Sequence, residues 1–112
     1  MLLKLQNYPL LIYVLPHLAN RIKNYFISKS RLDIAGQVDN LLIKELCNFG
    51  EPDCGSFYLT QYVENEDEYE CFGFEEIGTI EVIEGKIGFV EIFPSNFGNE
   101  IRSILWKNNI SY

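Results

Sequence analysis

The sequence is poor in the residue types that catalytic and metal sites use most often. It has one histidine, His17, and three cysteines, Cys47, Cys54 and Cys71. The cysteine spacings fit neither a CxxC zinc site nor a disulfide framework, and the chain has no glycine-rich phosphate-binding loop. His17 has no carboxylate or nucleophile placed locally to complete a catalytic group. We therefore expect no enzymatic activity, no cofactor and no metal site.

Long apolar runs are also lacking. The N-terminal run over residues 10–15 is too short to cross a bilayer. It loosely resembles the core of a signal peptide, but only Lys4 precedes it and no small-residue cleavage site follows cleanly. We expect a cytoplasmic protein with reduced thiols; a Cys47–Cys54 disulfide would be the alternative if the protein were exported.

Basic residues are scarce in the second part of the chain. Residues 1–44 hold six bases against two acids, whereas residues 45–112 hold fourteen acids against Lys86, Arg102 and Lys107. The net charge is -7. Such a surface repels phosphate backbones and anionic lipids and attracts basic proteins. The charge therefore argues against direct binding to nucleic acid or membrane and favours a basic protein partner, although acidity can also serve solubility alone.

The N-terminal half carries helical periodicity. Apolar residues recur from Leu11 to Phe26 at the spacing of an amphipathic helix, which predicts one helix over residues 9–28, kinked at Pro16. A short strand over residues 10–15 is the alternative, with the helix beginning at Pro16. A second helix is predicted from Ile34 to Phe49, with Gly50 as its C-terminal cap.

Beyond Pro52, apolar and polar residues alternate with the two-residue period of β-strands. Strands are predicted at Phe57–Val63, Tyr69–Phe74, Thr79–Ile83 and Ile87–Phe93. Glu84 and Gly85 form the tightest turn, and a last short helix is predicted with Ser95 or Asn96 as its cap. We therefore expect one α+β domain over residues 1–112, with two N-terminal helices, a four-stranded antiparallel meander and a short C-terminal helix.

The segment from Tyr62 to Glu76 combines acids with aromatic residues and contains no base. Its carboxylates could steer a basic partner, while exposed aromatic rings would anchor it. The alternative is a solvated hairpin whose aromatic rings all point into the core. Should these acids not bind the partner, Glu81, Glu84 and Glu91 are the next candidates. The predicted binding residues are Tyr62, Glu64, Glu66, Asp67, Glu68, Tyr69, Glu70, Phe72, Glu75 and Glu76.

A small acidic α+β chain with an acidic, aromatic hairpin resembles the immunity proteins of bacterial polymorphic toxin systems, including contact-dependent growth inhibition. This resemblance lies in architecture and charge and carries no signature residues. It implies a cytoplasmic protein that neutralises a basic toxin, most of all a nuclease, by covering its active site or its substrate entry. Two alternatives are a non-catalytic adaptor, which could form a homo-oligomer, and a small enzyme that uses a carboxylate pair.

Overall fold

The α+β class predicted from the sequence is confirmed by a computed structural model, which describes residues 8–47, 54–64 and 69–110. The helices are α1 (Leu11–Val14), α2 (Pro16–Ser28), α3 (Leu32–Ala35) and α4 (Asn96–Lys107), and a 3₁₀ turn spans Val38–Asn40. The strands are β1 (Ile43–Leu46), β2 (Phe57–Leu59), β3 (Tyr69–Phe74), β4 (Gly78–Ile83) and β5 (Lys86–Ile92).

Pro16 divides the first predicted helix into two. Leu15 leaves the helical conformation, with φ -130° and ψ 65°, and Pro16 begins α2. A proline disfavours the helical conformation of the residue before it but suits the first position of a new helix. The prediction of one kinked helix over residues 9–28 is therefore corrected to α1 and α2. Of the alternative strand, only an isolated bridge between Leu10 and Leu42 is present.

The predicted second helix from Ile34 to Phe49 is wrong. Helix α3 ends before Gly36, and the chain then forms the 3₁₀ turn and strand β1. Strand β1 pairs with β2 in antiparallel register, which buries Ile43 and Leu46 completely or nearly so. Tertiary pairing has thus overridden the helical spacing of the apolar residues. The proposed cap at Gly50 lies outside the described residues.

The sheet has five strands in the order β1-β2-β5-β4-β3, and all its pairs are antiparallel. The predicted meander holds for β3, β4 and β5, but β2 pairs with β5 instead of β3. Strand β3, which follows β2 in the chain, therefore lies at the edge of the sheet opposite β1. The last four strands have the order of a Greek key. Strand β2 is also shorter than predicted, because it ends at Leu59 rather than Val63.

One face of this sheet, which we call the inner face, forms the core with the helices. A row of directly paired residues crosses all five strands on this face: Leu46, Phe57, Val90, Ile80 and Phe72. The core cluster contains four of them, and Phe72 packs against it. Helix α2 adds Phe26, whose ring contacts that of Phe72 edge-on at 5.2 Å. The inner face therefore holds the fold together through apolar burial.

Local features predicted from the sequence end several of these elements. Glu84 and Gly85 both have positive φ, 52° and 80°, which is the conformation of the tight hairpin predicted between β4 and β5. The Ser95 hydroxyl accepts a hydrogen bond from the Gly98 N–H at 2.9 Å and caps α4. Ile101 and Leu105 of α4 are buried in the core, so this helix lies against it as predicted.

Two glutamines extend the ladder where the short strand β2 stops. The Gln37 Oε1 accepts the Ile87 N–H at 3.0 Å, and the Gln61 Nε2 donates to the Ile87 carbonyl at 2.8 Å. Gln61 also donates to Gln37 at 2.9 Å. Side-chain amides therefore satisfy the backbone groups of β5 that β2 does not reach. This bonding fixes the segment after β2 against the sheet.

Candidate functional site

The candidate site lies on the opposite face of the sheet, which we call the outer face. A second row of directly paired residues crosses the five strands here: Glu45, Tyr58, Phe89, Glu81 and Cys71. Successive side chains of a strand point to opposite faces, so this row is turned away from the core row beside it. Every helix that the structure describes buries side chains in the core of the inner face.

The centre of the outer face is a small aromatic cluster. The Tyr58 ring lies 4.6 Å from that of Phe89 and 4.9 Å from that of Tyr62. Both tyrosines are half-buried, whereas Phe89 is buried without belonging to the main core. The cluster therefore stands apart from the helices and keeps two tyrosine rings partly open to solvent.

Gly88 allows the chain to reach this position. It is an extra residue in β5, because Glu81 pairs with Phe89 whereas Val82 pairs with Ile87. A Cβ atom at Gly88 would stand 3.1 Å from the Tyr62 Cα and 2.7 Å from the Ile83 Cδ1. A glycine at this bulge thus lets Tyr62 lie directly against the strand.

Carboxylates surround the aromatic cluster. Burial, followed by the neighbouring charge of Glu91, raises the pKa of Glu81. Burial, followed by the charges of Glu81 and Glu64, raises the pKa of Tyr62. The Thr79 hydroxyl donates to Glu91 at 2.8 Å, so a hydroxyl and not a base binds this carboxylate. The negative charges on this face therefore act on one another and on the tyrosines.

The acids of the helical side have a different environment. Arg21 binds Glu75 at 2.8 Å, and Arg31 binds Glu70 at 3.2 Å and Asp33 at 3.3 Å. The hydrogen bond from Arg31 lowers the pKa of Asp33. Within the part of the chain that the structure describes, no lysine or arginine forms an ion pair with Glu45, Glu81 or Glu91. These three carboxylates of the outer face therefore have no ion-pair partner among the described lysines and arginines.

Of the predicted binding residues, those that the structure describes between Tyr62 and Phe72 lie on different surfaces. Tyr62 belongs to the aromatic cluster, Glu64 is exposed beside it, and Tyr69 on β3 is 51% exposed. Glu70 forms the ion pair with Arg31, and Phe72 is half-buried against Phe26. Strand alternation is the reason, since neighbouring side chains of β3 lie on opposite faces.

The remaining predicted acids occupy the turn after β3 or lie outside the described residues. Glu75 and Glu76 have positive φ angles of 47° and 62°, a conformation that glycine or asparagine adopts more readily. Glu75 forms the ion pair with Arg21, whereas Glu76 is exposed. Glu66, Asp67 and Glu68 lie outside the described residues.

The predicted set did not include the residues that form the outer face with Tyr62. Glu81 and Glu91 were only second candidates, and Glu45, Tyr58 and Phe89 were not singled out. The alternation of apolar and polar residues in β4 contains a signal for Glu81, because it lies between the inner-face residues Ile80 and Val82. Glu45 had no such signal, because the segment that contains it was predicted to be helical.

Comparisons with known proteins find no match for this chain: no protein-family model, no curated protein and no solved structure matches it. Within residues 8–47, 54–64 and 69–110, no helix has the length and apolar character needed to cross a membrane. In the same segments, no three His, Cys, Asp or Glu side chains come together as a set that could hold a metal ion.

Proposed function

We propose that this protein acts by binding a basic protein partner through the outer face of its sheet. The observation that carries the proposal is that Glu45, Glu81 and nearby Glu91 surround partly open tyrosines and form no ion pair with any lysine or arginine that the structure describes. Uncompensated carboxylates steer a positively charged partner toward this face. Tyrosine rings supply rigid contact area at a small cost in side-chain entropy.

The partner that we propose is a toxin domain, and the class that we favour is a nuclease. The protein would act as its immunity protein. A nuclease has a positively charged substrate channel, which an acidic surface can approach and cover. The net charge of -7 supports this form of inhibition, because the same charge disfavours direct binding to nucleic acid. We place the encounter in the cytoplasm, and the free thiols of Cys54 and Cys71 support that assignment.

A capture experiment followed by a growth assay tests the proposal. The tagged protein and its Glu81→Lys, Glu91→Lys double variant are used to capture proteins from cells of the source organism. We expect the wild-type protein alone to retain a basic protein. Expression of that protein, or of its basic domain, should stop the growth of a test strain, and co-expression of this chain should restore growth.

A control variant separates the outer face from net charge. Glu100 is exposed on α4, so a Glu100→Lys, Asn99→Lys double variant raises the net charge by three away from the outer face, against four for the Glu81→Lys, Glu91→Lys variant. We expect this variant to keep the partner and to restore growth. Equal capture by both double variants would contradict the outer face as the binding site. A captured basic protein that has no effect on growth would contradict the immunity function and favour an adaptor.

A further inference from the structure

Strand β3 is an edge of the sheet, and its outward side is unoccupied in the part of the chain that the structure describes. All six residues of β3 pair with β4, from Tyr69 opposite Ile83 to Phe74 opposite Gly78. In an antiparallel pair, alternate residues direct their N–H and C=O groups away from the partner strand. No described group forms a hydrogen bond with those outward groups of residues 69–73. The edge can therefore accept a further strand.

This edge lacks most of the features that usually prevent pairing with another chain. Such features are proline, charged side chains, especially lysine, a bulge or a very short strand. The sequence of β3 is YECFGF, and its register with β4 has no shift along the whole strand. Glu70 is its one charged residue, and Arg31 binds that carboxylate from the helical side. The edge is thus regular and open along its length.

The outer side of β3 carries only small side chains after Tyr69. Cys71 and Gly73 are the exposed residues that lie on it between Tyr69 and the turn, and a Cβ atom at Gly73 would have no atom within 4 Å. On β4, Cys71 is opposite Glu81, and Gly73 is opposite Thr79. Thr79 is in turn opposite Glu91 on β5. A long side chain on an added strand could therefore lie across β3 toward Glu81, the nearer of the two carboxylates.

The distances in a β-sheet permit such a contact. Neighbouring strands are about 4.8 Å apart, so an added strand would lie roughly 10 Å from β4. A lysine or arginine and a glutamate that extend toward each other span about this distance. On the inner side, the added strand would instead meet the half-buried Phe72, which favours an apolar residue. The two sides of the edge thus require different residues in alternation.

We propose that the partner adds a strand to β3 in which basic residues on the outer side alternate with apolar residues on the inner side. This inference rests on the proposed function, because it specifies how a basic partner binds the outer face. Main-chain hydrogen bonds with β3 would hold the strand, and Glu81 on β4 would select its basic residues, while Glu91 on β5 would add to the negative field from one strand further away. The bound segment would extend the sheet from five strands to six.

Synthetic peptides of about eight residues, a usual strand length, provide the probe. The first alternates lysine with valine, and the second contains the same residues in two blocks. Two further versions of the first carry N-methyl groups, one on the lysines and the other on the valines. We expect the alternating peptide to bind about tenfold more tightly than the block peptide, since only alternation places every lysine on one face. One N-methylated version should bind and the other should not, because only alternate N–H groups face β3.

Hydrogen exchange locates the bound peptide on the protein. We expect the alternating peptide to slow exchange of outward amides within residues 69–73. A Cys71→Lys variant should weaken its binding by about tenfold, because a base beside Glu81 competes with the peptide and repels it. Ser103→Lys, which adds the same charge at an exposed position of α4, should leave binding nearly unchanged.

Several results would overturn the added strand. Equal binding of the alternating and block peptides, or of both N-methylated versions, would show charge attraction without strand pairing. Protection of β3 that grows with protein concentration in the absence of peptide would assign the edge to a second copy of this chain. A captured partner that needs Glu81 and Glu91 but leaves exchange of β3 unchanged would overturn the added strand alone. The proposed function fails separately if capture does not depend on those carboxylates.

Discussion

The two faces of the sheet use the same strands for different purposes. The inner row from Leu46 to Phe72 is largely buried and packs against the core, whereas the adjacent outer row contains Glu45, Glu81 and an exposed Cys71. Apolar burial on the inner face supplies the main stabilisation of the fold. The outer face instead keeps charge that no described base neutralises. The inner face therefore maintains the structure, and the outer face is the one that we propose for binding.

The largest effect should follow from a cavity on the inner face. Phe57 is fully buried in the centre of that row, between Leu46 and Val90. We expect Phe57→Ala to lower the free energy of unfolding by about 4 kcal/mol, through lost burial and the remaining cavity. Chemical denaturation followed by circular dichroism measures this loss. A change below about 1 kcal/mol would show that the inner face does not dominate stability.

Charge reversal on the outer face should affect binding more than folding. We expect Glu81→Lys with Glu91→Lys to lower the association rate of the captured partner by about tenfold at low salt, equivalent to about 1.4 kcal/mol. The difference should shrink near 1 M salt, where the screening length is about 3 Å. Surface plasmon resonance at both salt concentrations makes the measurement. A similar loss for the Glu100→Lys, Asn99→Lys variant would indicate an effect of net charge alone.

Removing a base from the helical side should produce the opposite pattern. Arg21 binds Glu75 and lies over the Phe97 ring at 5.3 Å and the Phe74 ring at 5.9 Å. We expect Arg21→Ala to lower the free energy of unfolding by about 1 kcal/mol, because the ion pair is partly exposed and the ring contacts add modestly. Partner association should change little. Lys23→Ala provides the control, since its exposed ion pair with Asp39 should contribute only a few tenths of a kcal/mol.

The smallest effect concerns the protonation of Glu81. Its pKa is raised in the folded state, so the folded protein binds this proton more tightly than the unfolded chain does. Glu81 therefore lowers stability as pH rises from the ordinary glutamate range through its raised pKa. We expect Glu81→Gln to be more stable than wild type at pH 7 by a few tenths of a kcal/mol, because solvent screens this partly exposed group.

Thermal unfolding of the Glu81→Gln and wild-type proteins at pH 4 and pH 7 would reveal this difference. The gain should nearly disappear at pH 4, where the wild-type carboxyl is protonated in the folded protein. Glu84→Gln removes the same charge at the exposed hairpin turn and is the matched control for the substitution itself. An equal gain at both values of pH would mean that the variant acts through packing.

Local signals in the sequence were sufficient where the structure depends on neighbouring residues. The strand Tyr69–Phe74 has its predicted bounds, and positive φ angles at Glu84 and Gly85 match the predicted hairpin. Ser95 caps α4, one of the two predicted positions. Each of these features involves residues close in the chain, so its physical cause can be read from composition and spacing.

The position of Glu45 shows where such signals fail. The segment from Ile34 to Phe49 has apolar residues that suit one face of a helix, but Ile43 and Leu46 are also buried in an antiparallel strand beside β2. The pairing of distant segments decides between these conformations, and periodicity within one segment does not include that energy. The error concealed Glu45 as a residue of the outer face.

Composition and local spacing were enough to predict the α+β class, the acidic character of residues 45–112 and the local turns and caps. Which of the described acids form ion pairs depends instead on the tertiary structure. Arg21 and Arg31 reach Glu75 and Glu70 across 54 and 39 positions of the chain, while burial and then the neighbouring charge of Glu91 raise the pKa of Glu81. Ion pairing depends on distances between atoms, and strand order and helix placement set those distances. The charge of the segment was therefore predictable, whereas the face that we propose for contact with a partner was not.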